Sequence, residues 1–357
     1  MPKVLIDTTL ITHSNTGLGN VMQALAQGFN AQPPAPISYN LLVPQGYPIP
    51  PSATVNFIPV HKWQKYLRFT LPKVDVWHST YQSFRYLRKT GNTQQVLTIH
   101  DLNFLYEKNA IKSKFHLRKL QARINRADAI TTISQFVAKD IQENLALYGK
   151  PVDVIYNSVE NLQQRAATKP EFCTGDAPFF FTLGAVRRKK NLHSLLGVMA
   201  RFPDYNLYIS GNLDDPNYLA QLHSDIAKLG LTNVFITGPI RSEEKIWLYQ
   251  HAHAFLFPSL FEGFGLPVVE AMQFGTPVFT SNMTSLPEVG GGHTIIWDNF
   301  DPEHMAEAIL RHLPGLRQDT HKRAAMQAYA TSFSLEKNIQ QYSSLYKRLV
   351  GNTPIEN

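Results

Sequence analysis

At 357 residues, 43% of them hydrophobic, the chain suits two α/β domains better than one, and its single cysteine, Cys173, excludes an intramolecular disulfide. No apolar run approaches 18 residues, so no membrane-spanning helix is expected; the start, Met1-Pro2-Lys3-Val4, reads as a strand rather than a signal peptide, so the expected location is cytoplasmic or peripheral on the inner face of the membrane. The net charge of +7 is uneven: residues 1–165 hold 18 Lys+Arg and 9 Asp+Glu, a net of +9, and the remainder holds 16 and 18, a net of −2.

In chain order, Val4–Asp7 is the first expected strand, and the turn Thr16-Gly17-Leu18-Gly19-Asn20 leads into the helical pattern Val21–Phe29. Further strands are expected at Tyr39–Val43, Val74–His78, Val96–His100, Ala129–Ile133 and Val152–Tyr156, with a helix at Ser134–Leu145. Residues 161–177 are polar and aperiodic, and read as a linker between domains at 1–160 and 178–334. The second half repeats the alternation, with strands at Phe179–Leu183, Asn206–Ser210, Val234–Thr237, Ala254–Phe257 and Pro277–Thr280 and a helix at Pro216–Leu229. A last helical pattern, Leu335–Leu349, falls in residues 335–357. Strands alternating with helices predict parallel sheets covered on both faces.

The stretch from Phe261 to Ala271 carries the most chemistry. Glu262 and Glu270 lie eight residues apart around the turn Gly263-Phe264-Gly265 and Pro267. Proline suits the first position of a helix, where its missing N–H costs nothing. The turn is therefore expected to leave backbone N–H groups free at a helix N-terminus, where anions bind. N–H groups for a pyrophosphate, with carboxylates for ribose and sugar hydroxyls, are what a nucleotide-sugar needs. A capped surface helix after a buried strand is the plain alternative.

Other segments are weaker signals. Gly17 and Gly19 allow φ > 0 and close approach by a ligand. His100-Asp101 ends a strongly apolar strand, where α/β proteins bind ligands. There His100 would donate to a sugar hydroxyl or stabilise developing charge, with Asp101 orienting its ring. His78 reads as packing. Arg187-Arg188-Lys189-Lys190 sets four cations before a helix, where they repel one another unless an anion is near. Asp214-Asp215 is not taken as a metal site, because the chain has no Asp-x-Asp.

The block Glu262-Gly263-Phe264-Gly265-Leu266-Pro267-x-x-Glu270-Ala271 resembles the signature of the retaining glycosyltransferases of family four, of bacterial surface-polysaccharide type. The resemblance implies the GT-B fold: α/β, two Rossmann-like domains facing across a cleft, with the acceptor mostly in the N-terminal domain and a nucleoside-diphosphate sugar in the C-terminal one. It places Gly17 and Gly19 against the donor phosphates or the acceptor, and His100 and Asp101 beside the donor sugar with Glu262. Lys190 and the backbone at Phe264, Gly265 and Leu266 would hold the pyrophosphate, Glu270 the ribose, and the loop of Pro239 and Ile240 the nucleobase. Ala185 stands where many relatives carry an arginine, so Arg188 or Arg187 would supply that charge to the departing diphosphate. The turn Thr284-Ser285-Leu286-Pro287-Glu288 fits as structural support, and the last helix commonly crosses back to the first domain. No metal and no cofactor are implied. The implied reaction moves a hexose, first mannose from GDP-mannose and otherwise a hexose from UDP, to a glycan or lipid-linked acceptor. A GT-B epimerase and a non-catalytic nucleotide-sugar-binding scaffold are the alternatives.

Two basic stretches stand outside that pattern. Lys108 to Arg126 holds seven cations and no acidic residue, with Leu117, Leu120, Ile124 and Ala127 at helical spacing. Residues Lys62 to Phe69 mix cations with aromatics. Two readings stand: an anionic membrane surface or lipid-diphosphate acceptor, or apolar faces packed on the sheet under solvated charges. No nucleic-acid motif accompanies them, and no nucleic acid partner is expected.

Overall fold

A computed structural model describes residues 1–351 except 14–15, 34–35, 52–53, 68–69, 84–85 and 87–90. Arg68 and Phe69, the end of the second basic stretch, lie outside the described residues. The chain divides into two compact units, one formed by Met1–Glu160 with the chain from Phe333 onward, the other by Asn161–Ser332.

The first unit runs β1 (Lys3–Asp7), α1 (Gly17–Asn30), β2 (Ser38–Pro44), β3 (Val55–Val60), β4 (Val76–Ser79), β5 (Gln94–Ile99), α2 (Phe104–Glu107), α3 (Ala110–Ile124), β6 (Ala129–Thr132), α4 (Gln135–Asn144) and β7 (Val152–Val154). All seven strands are parallel, in the order β3-β2-β1-β4-β5-β6-β7. Central strands are buried on both faces, as helices on both sides of a parallel sheet require: β1 is apolar over Val4–Ile6, and all four residues of β4 are buried. β3 has no counterpart among the expected strands. It is the edge strand and contains Pro59, a residue that argues against a strand except at an edge, where its missing N–H faces no neighbour.

The second unit runs β8 (Phe179–Leu183), α5 (Ser194–Ala200), β9 (Asn206–Ser210), α6 (Pro216–Lys228), β10 (Val234–Gly238), α7 (Ser242–His251), β11 (Ala254–Phe257), α8 (Leu266–Gln273), β12 (Val278–Ser281), α9 (Leu286–Gly290), β13 (Ile295–Trp297), α10 (Pro302–Gln318) and α11 (Thr320–Thr331). Its six parallel strands follow the order β10-β9-β8-β11-β12-β13. β13, three residues at the other edge, is too short for a periodicity to reveal. The segment 161–177, expected as a linker, packs on this unit: Leu162 is buried, and its N–H donates to Gln273 Oε1 at 3.0 Å.

Both sheets are doubly wound, with the strand order reversing beside the first strand of each. The crevices this opens lie between β1 and β4 and between β8 and β11, at the carboxyl ends, where ligands bind in such sheets.

The last helix, α12 (Leu335–Gly351), joins the first unit's core through Ile339, Tyr342, Leu345, Tyr346 and Leu349. Asn338 Nδ2 donates to the Tyr156 carbonyl at 2.6 Å, and Arg348 pairs with Asp153 at 2.6 Å. His78, at 0% exposure, pins the helix to the sheet. Its Nδ1 lies 2.6 Å from Tyr346 Oη and its Nε2 2.7 Å from Thr98 Oγ1. This is packing, as the sequence suggests.

Candidate active site

At the switch point of the second sheet, the loops after β8 and β11 are tied together. The Leu260 N–H donates to the Lys189 carbonyl at 2.8 Å, and Ser259 Oγ lies 3.3 Å from the same oxygen. Above that seam Lys190 Nζ meets Glu262 Oε1 at 2.5 Å, with both side chains only 14% exposed. Ser259 Oγ donates to the same carboxylate oxygen at 2.7 Å. The ammonium lies 4.9 Å from the Phe257 ring centroid, a cation–π contact. The stem of Lys190 crosses Gly184, where an added Cβ would sit 3.0 Å from Lys190 Cε. An ammonium has three N–H groups, so Lys190 can hold Glu262 and still offer donors to an anion.

The main chain of Glu262 is braced from the turn after β12. Its N–H donates to Thr284 Oγ1 at 3.0 Å. Ser285 Oγ lies 3.0 and 2.8 Å from the carbonyls of Glu262 and Phe264, which share its one proton. The turn expected as support is therefore the scaffold of this carboxylate.

Gly265 caps α8 at φ 111°, a conformation glycine adopts without strain. Pro267 is the second residue of the helix. The amides of Gly265 and Leu266 make no hydrogen bond among the described residues, which leaves them open to an anion. The Phe264 side chain is buried, so it contributes packing there and only its backbone faces the question of a ligand.

Glu270, one turn into α8, is held by two side chains of α7 that the sequence reading did not single out. Lys245 Nζ sits 2.9 Å from Oε1, and Tyr249 Oη donates to Oε2 at 2.9 Å. Lys245 and Tyr249 are four apart and share a helix face; that spacing is the only sequence signal for them, and it is common. Burial, with the Glu270 charge, pushes the Tyr249 phenol well above its ordinary range, so it remains a donor. Each carboxylate oxygen keeps a further acceptor position, the number a vicinal diol such as ribose would use.

The rest of the basic turn points elsewhere. Arg187 pairs with Asp214 at 2.7 Å. Arg188 donates to Gln221 Oε1 at 2.7 Å and lies 5.5 Å over the Tyr218 ring. Both guanidinium groups are engaged toward α6 and the loop before it, and neither is brought to Glu262 alongside Lys190. Asp215 Oδ1 accepts the Tyr218 N–H at 3.0 Å and caps α6. Ile240 is half-buried in the loop after β10, at the sheet edge.

In the first unit, Gly17 and Gly19 open α1, and neither has a positive φ. The conformational reason expected for them does not hold. Gly19 is needed because a Cβ would overlap the His13 carbonyl, and its N–H donates to Thr16 Oγ1 at 3.1 Å.

His100 follows β5, with Nε2 2.6 Å from the Thr80 carbonyl at the end of β4. A carbonyl only accepts, so Nε2 carries the proton. Burial lowers the ring's pKa from its ordinary value, outweighing the Thr80 bond and the Asp101 charge that raise it. The neutral ring therefore presents Nδ1 as an acceptor, without a partner among the described residues. A sugar hydroxyl would donate to His100, the reverse of the expected direction. Asp101 does not orient the ring by a hydrogen bond. Its Oδ1 accepts the Asn103 N–H at 3.0 Å, and its carbonyl accepts Gln82 Nε2 at 2.5 Å. The Thr80 carbonyl does the orienting, and no side-chain pattern could have shown that.

Two doubly wound parallel sheets, the second with a cation–carboxylate pair and an open helix N-terminus at its switch point, define an α/β protein with a candidate anion site at the carboxyl ends of its second sheet. Residues 17–161 match the family described as Glycosyltransferase Family 4, and residues 164–333 that described as Glycosyl transferases group 1. The chain belongs to the family-four glycosyltransferases, and its fold is GT-B. Over 277 residues it is 27% identical to the O-antigen chain mannosyltransferase B of Escherichia coli, covering 71% of this chain and 70% of that protein. It is 31% identical over 199 residues to the O-antigen chain mannosyltransferase RfbU of Salmonella typhimurium, covering 55% and 54%. A sucrose-phosphate synthase from Thermosynechococcus elongatus has the same fold, with a TM-score of 0.77 at 19% identity, over 98% of this chain and 100% of that one. Relatives named as transferases set aside the epimerase reading.

Proposed function

We propose that this glycosyltransferase is a retaining mannosyltransferase that takes mannose from GDP-mannose and adds it to a glycan or lipid-linked acceptor in surface-polysaccharide synthesis. The mannosyltransferase relatives support the sugar; a UDP-hexose is the second choice of donor. The observation that carries the reading is the Lys190–Glu262 pair at the switch point, with Glu270, one turn into α8, braced by Lys245 and Tyr249. Lys190 and the amides of Gly265 and Leu266 take the diphosphate. Glu270 accepts the ribose hydroxyls, and Glu262 takes the sugar hydroxyls. No side chain serves as a covalent nucleophile; the departing phosphate itself takes the acceptor proton. A panel of nucleoside diphosphates and their sugars tests the donor site, because a ligand specific to the native state stabilises by about 2.7 kcal/mol at 100 Kd. GDP and GDP-mannose are expected to raise the melting temperature of the wild type and to do so far less for Glu270→Ala. No shift with any nucleotide would remove the donor site.

The acceptor side is expected to rest on an anionic membrane. Among the described residues no helix is long and apolar enough to cross one. α3 buries Leu120 and Ile124 but leaves Ile111 at 83% and Phe115 at 55% exposure, among Lys108, Lys112, Lys114 and Lys119. Tyr66, after the short turn at Lys62–Lys65, is 77% exposed, with Lys65 Nζ 4.7 Å over its ring. Apolar groups ringed by cations suit an anionic headgroup layer, at about 1 kcal/mol per cation. Arg123 is not part of that face, since it donates to the Gln82 carbonyl. Wild type should sediment with phosphatidylglycerol vesicles, and Lys112→Glu with Lys119→Glu should cut that binding more than about tenfold. Unchanged binding would rule out α3 as the membrane contact.

A further inference from the structure

The second unit has another cavity, of about 220 Å³, at the amino ends of β11 and β12. It lies on the edge of the sheet opposite the Lys190–Glu262 pair, which stands at the carboxyl ends. Its floor is the turn Gly275-Thr276-Pro277 between α8 and β12, and its rim includes His251 at the end of α7. Two arginines enter it, Arg317 from the end of α10 and Arg323 from α11. No aspartate or glutamate lines it.

Arg323 is fixed by one bond, from Nε to the Gly275 carbonyl at 3.1 Å, which leaves its terminal N–H groups for something else. Arg317 has no carboxylate partner among the described residues. Asp319, two residues on, is engaged otherwise: its Oδ1 accepts the Lys322 N–H at 2.9 Å, and Lys322 Nζ stands 3.7 Å from its Oδ2. Burial and the like charge of Arg323 hold the Arg317 guanidinium below its ordinary range. Two guanidinium groups facing one cavity without a carboxylate repel each other. An anion between them would accept paired N–H bonds from both, and phosphate oxygens match that fork geometry. A cavity below the ~300–1,000 Å³ of drug-sized pockets fits a small ligand.

We propose that this cavity is a second ligand site that takes a phosphate group, as inorganic phosphate or as the phosphate of a small sugar ester, independently of the donor site. The proposal does not rest on the identity of the donor. It is tested by calorimetric titration of inorganic phosphate, and separately of mannose 1-phosphate, into the full chain. The Lys190→Ala background removes the cation of the other phosphate-binding region; if that variant does not fold, wild type saturated with nucleoside diphosphate replaces it. Saturable one-to-one binding is expected, weakened more than about tenfold by Arg317→Gln and by Arg323→Gln. Tighter binding of the sugar ester than of inorganic phosphate would mark the ester as the ligand; equal or weaker binding would mark phosphate itself. Without phosphate, Arg317→Gln should melt no lower than its parent, because it removes a repulsion rather than a contact. The absence of saturable binding at millimolar concentrations of either probe, or binding unchanged in both arginine variants, would overturn the proposal. So would a loss of stability in Arg317→Gln, which would give the arginine a structural role.

Discussion

Glu262→Gln is expected to lower kcat/KM by about 10²–10³-fold, the usual cost of removing one group that acts on developing charge. The amide keeps the length of the side chain and can still accept from Ser259, so the loop after β11 should hold its shape. What is lost is the negative partner that holds Lys190 at 2.5 Å and a charged acceptor for the sugar. Lys190→Ala should cost as much in kcat, since it removes the cation beside the departing diphosphate. It also leaves a carboxylate of 14% exposure without its partner, so about 3–5 kcal/mol of local stability is at stake. Arginine is not a conservative replacement there, because a planar guanidinium cannot reproduce the compact ammonium's contact with Glu262. The two variants should not be additive, because they break one pair. Steady-state rates on both single variants and the double variant, with melting curves as a check on folding, decide this. Rates within threefold of wild type would take the pair out of the mechanism.

Acid should loosen the first unit through His78. Burial first, and second the repulsion that His100 exerts once it too is protonated in acid, lower its pKa from 6.5 to about 3. The folded protein keeps the ring neutral between Tyr346 and Thr98, while the unfolded chain protonates it near 6.5. Unfolded molecules therefore bind the additional proton, and stability rises with pH across that window. The contribution is complete above pH 6.5, falls as the pH drops from about 6.5 toward 3, and levels off below. At 1.36 kcal/mol per pKa unit the total is several kcal/mol, on the order of 5. His78→Gln should be less stable at pH 8, by about 1–3 kcal/mol for the disturbed buried bonds, but its stability should fall less steeply between pH 6.5 and 5. His100, His193 and His253 are shifted the same way and remain in both proteins, so the difference between the two slopes reports His78. Urea unfolding at several pH values measures it. Parallel slopes would show that the ring is not the acid-sensitive contact.

The parts of the site legible in the sequence are those where chemistry is concentrated in contiguous residues. Glu262, the glycine turn, Pro267 and Glu270 occupy nine positions, and the fold keeps them together because a strand end, a turn and a helix start follow one another. Lys190 stands in the sequence as one of four adjacent cations; the charge pattern does not say which of them turns inward, and only the family resemblance singles out Lys190. The structure sends Arg187 to Asp214 and Arg188 to Gln221 and Tyr218. Partners from distant elements left no mark: Lys245 and Tyr249 belong to an ordinary helix, and Thr80 acts through a backbone carbonyl. The same holds for the fold. Apolar central strands announce themselves, whereas β3 hides behind Pro59 and β13 behind its three residues.

The central claim is that this chain transfers a hexose with retention from a nucleotide donor held at Lys190, Glu262 and Glu270. NMR of the reaction of GDP-mannose with a mannose-terminated oligosaccharide tests it most directly. The account predicts release of GDP with a new α-mannosidic linkage, abolished in the Glu262→Gln, Lys190→Ala double variant. A β-linked product, or equal transfer by that variant, would contradict it.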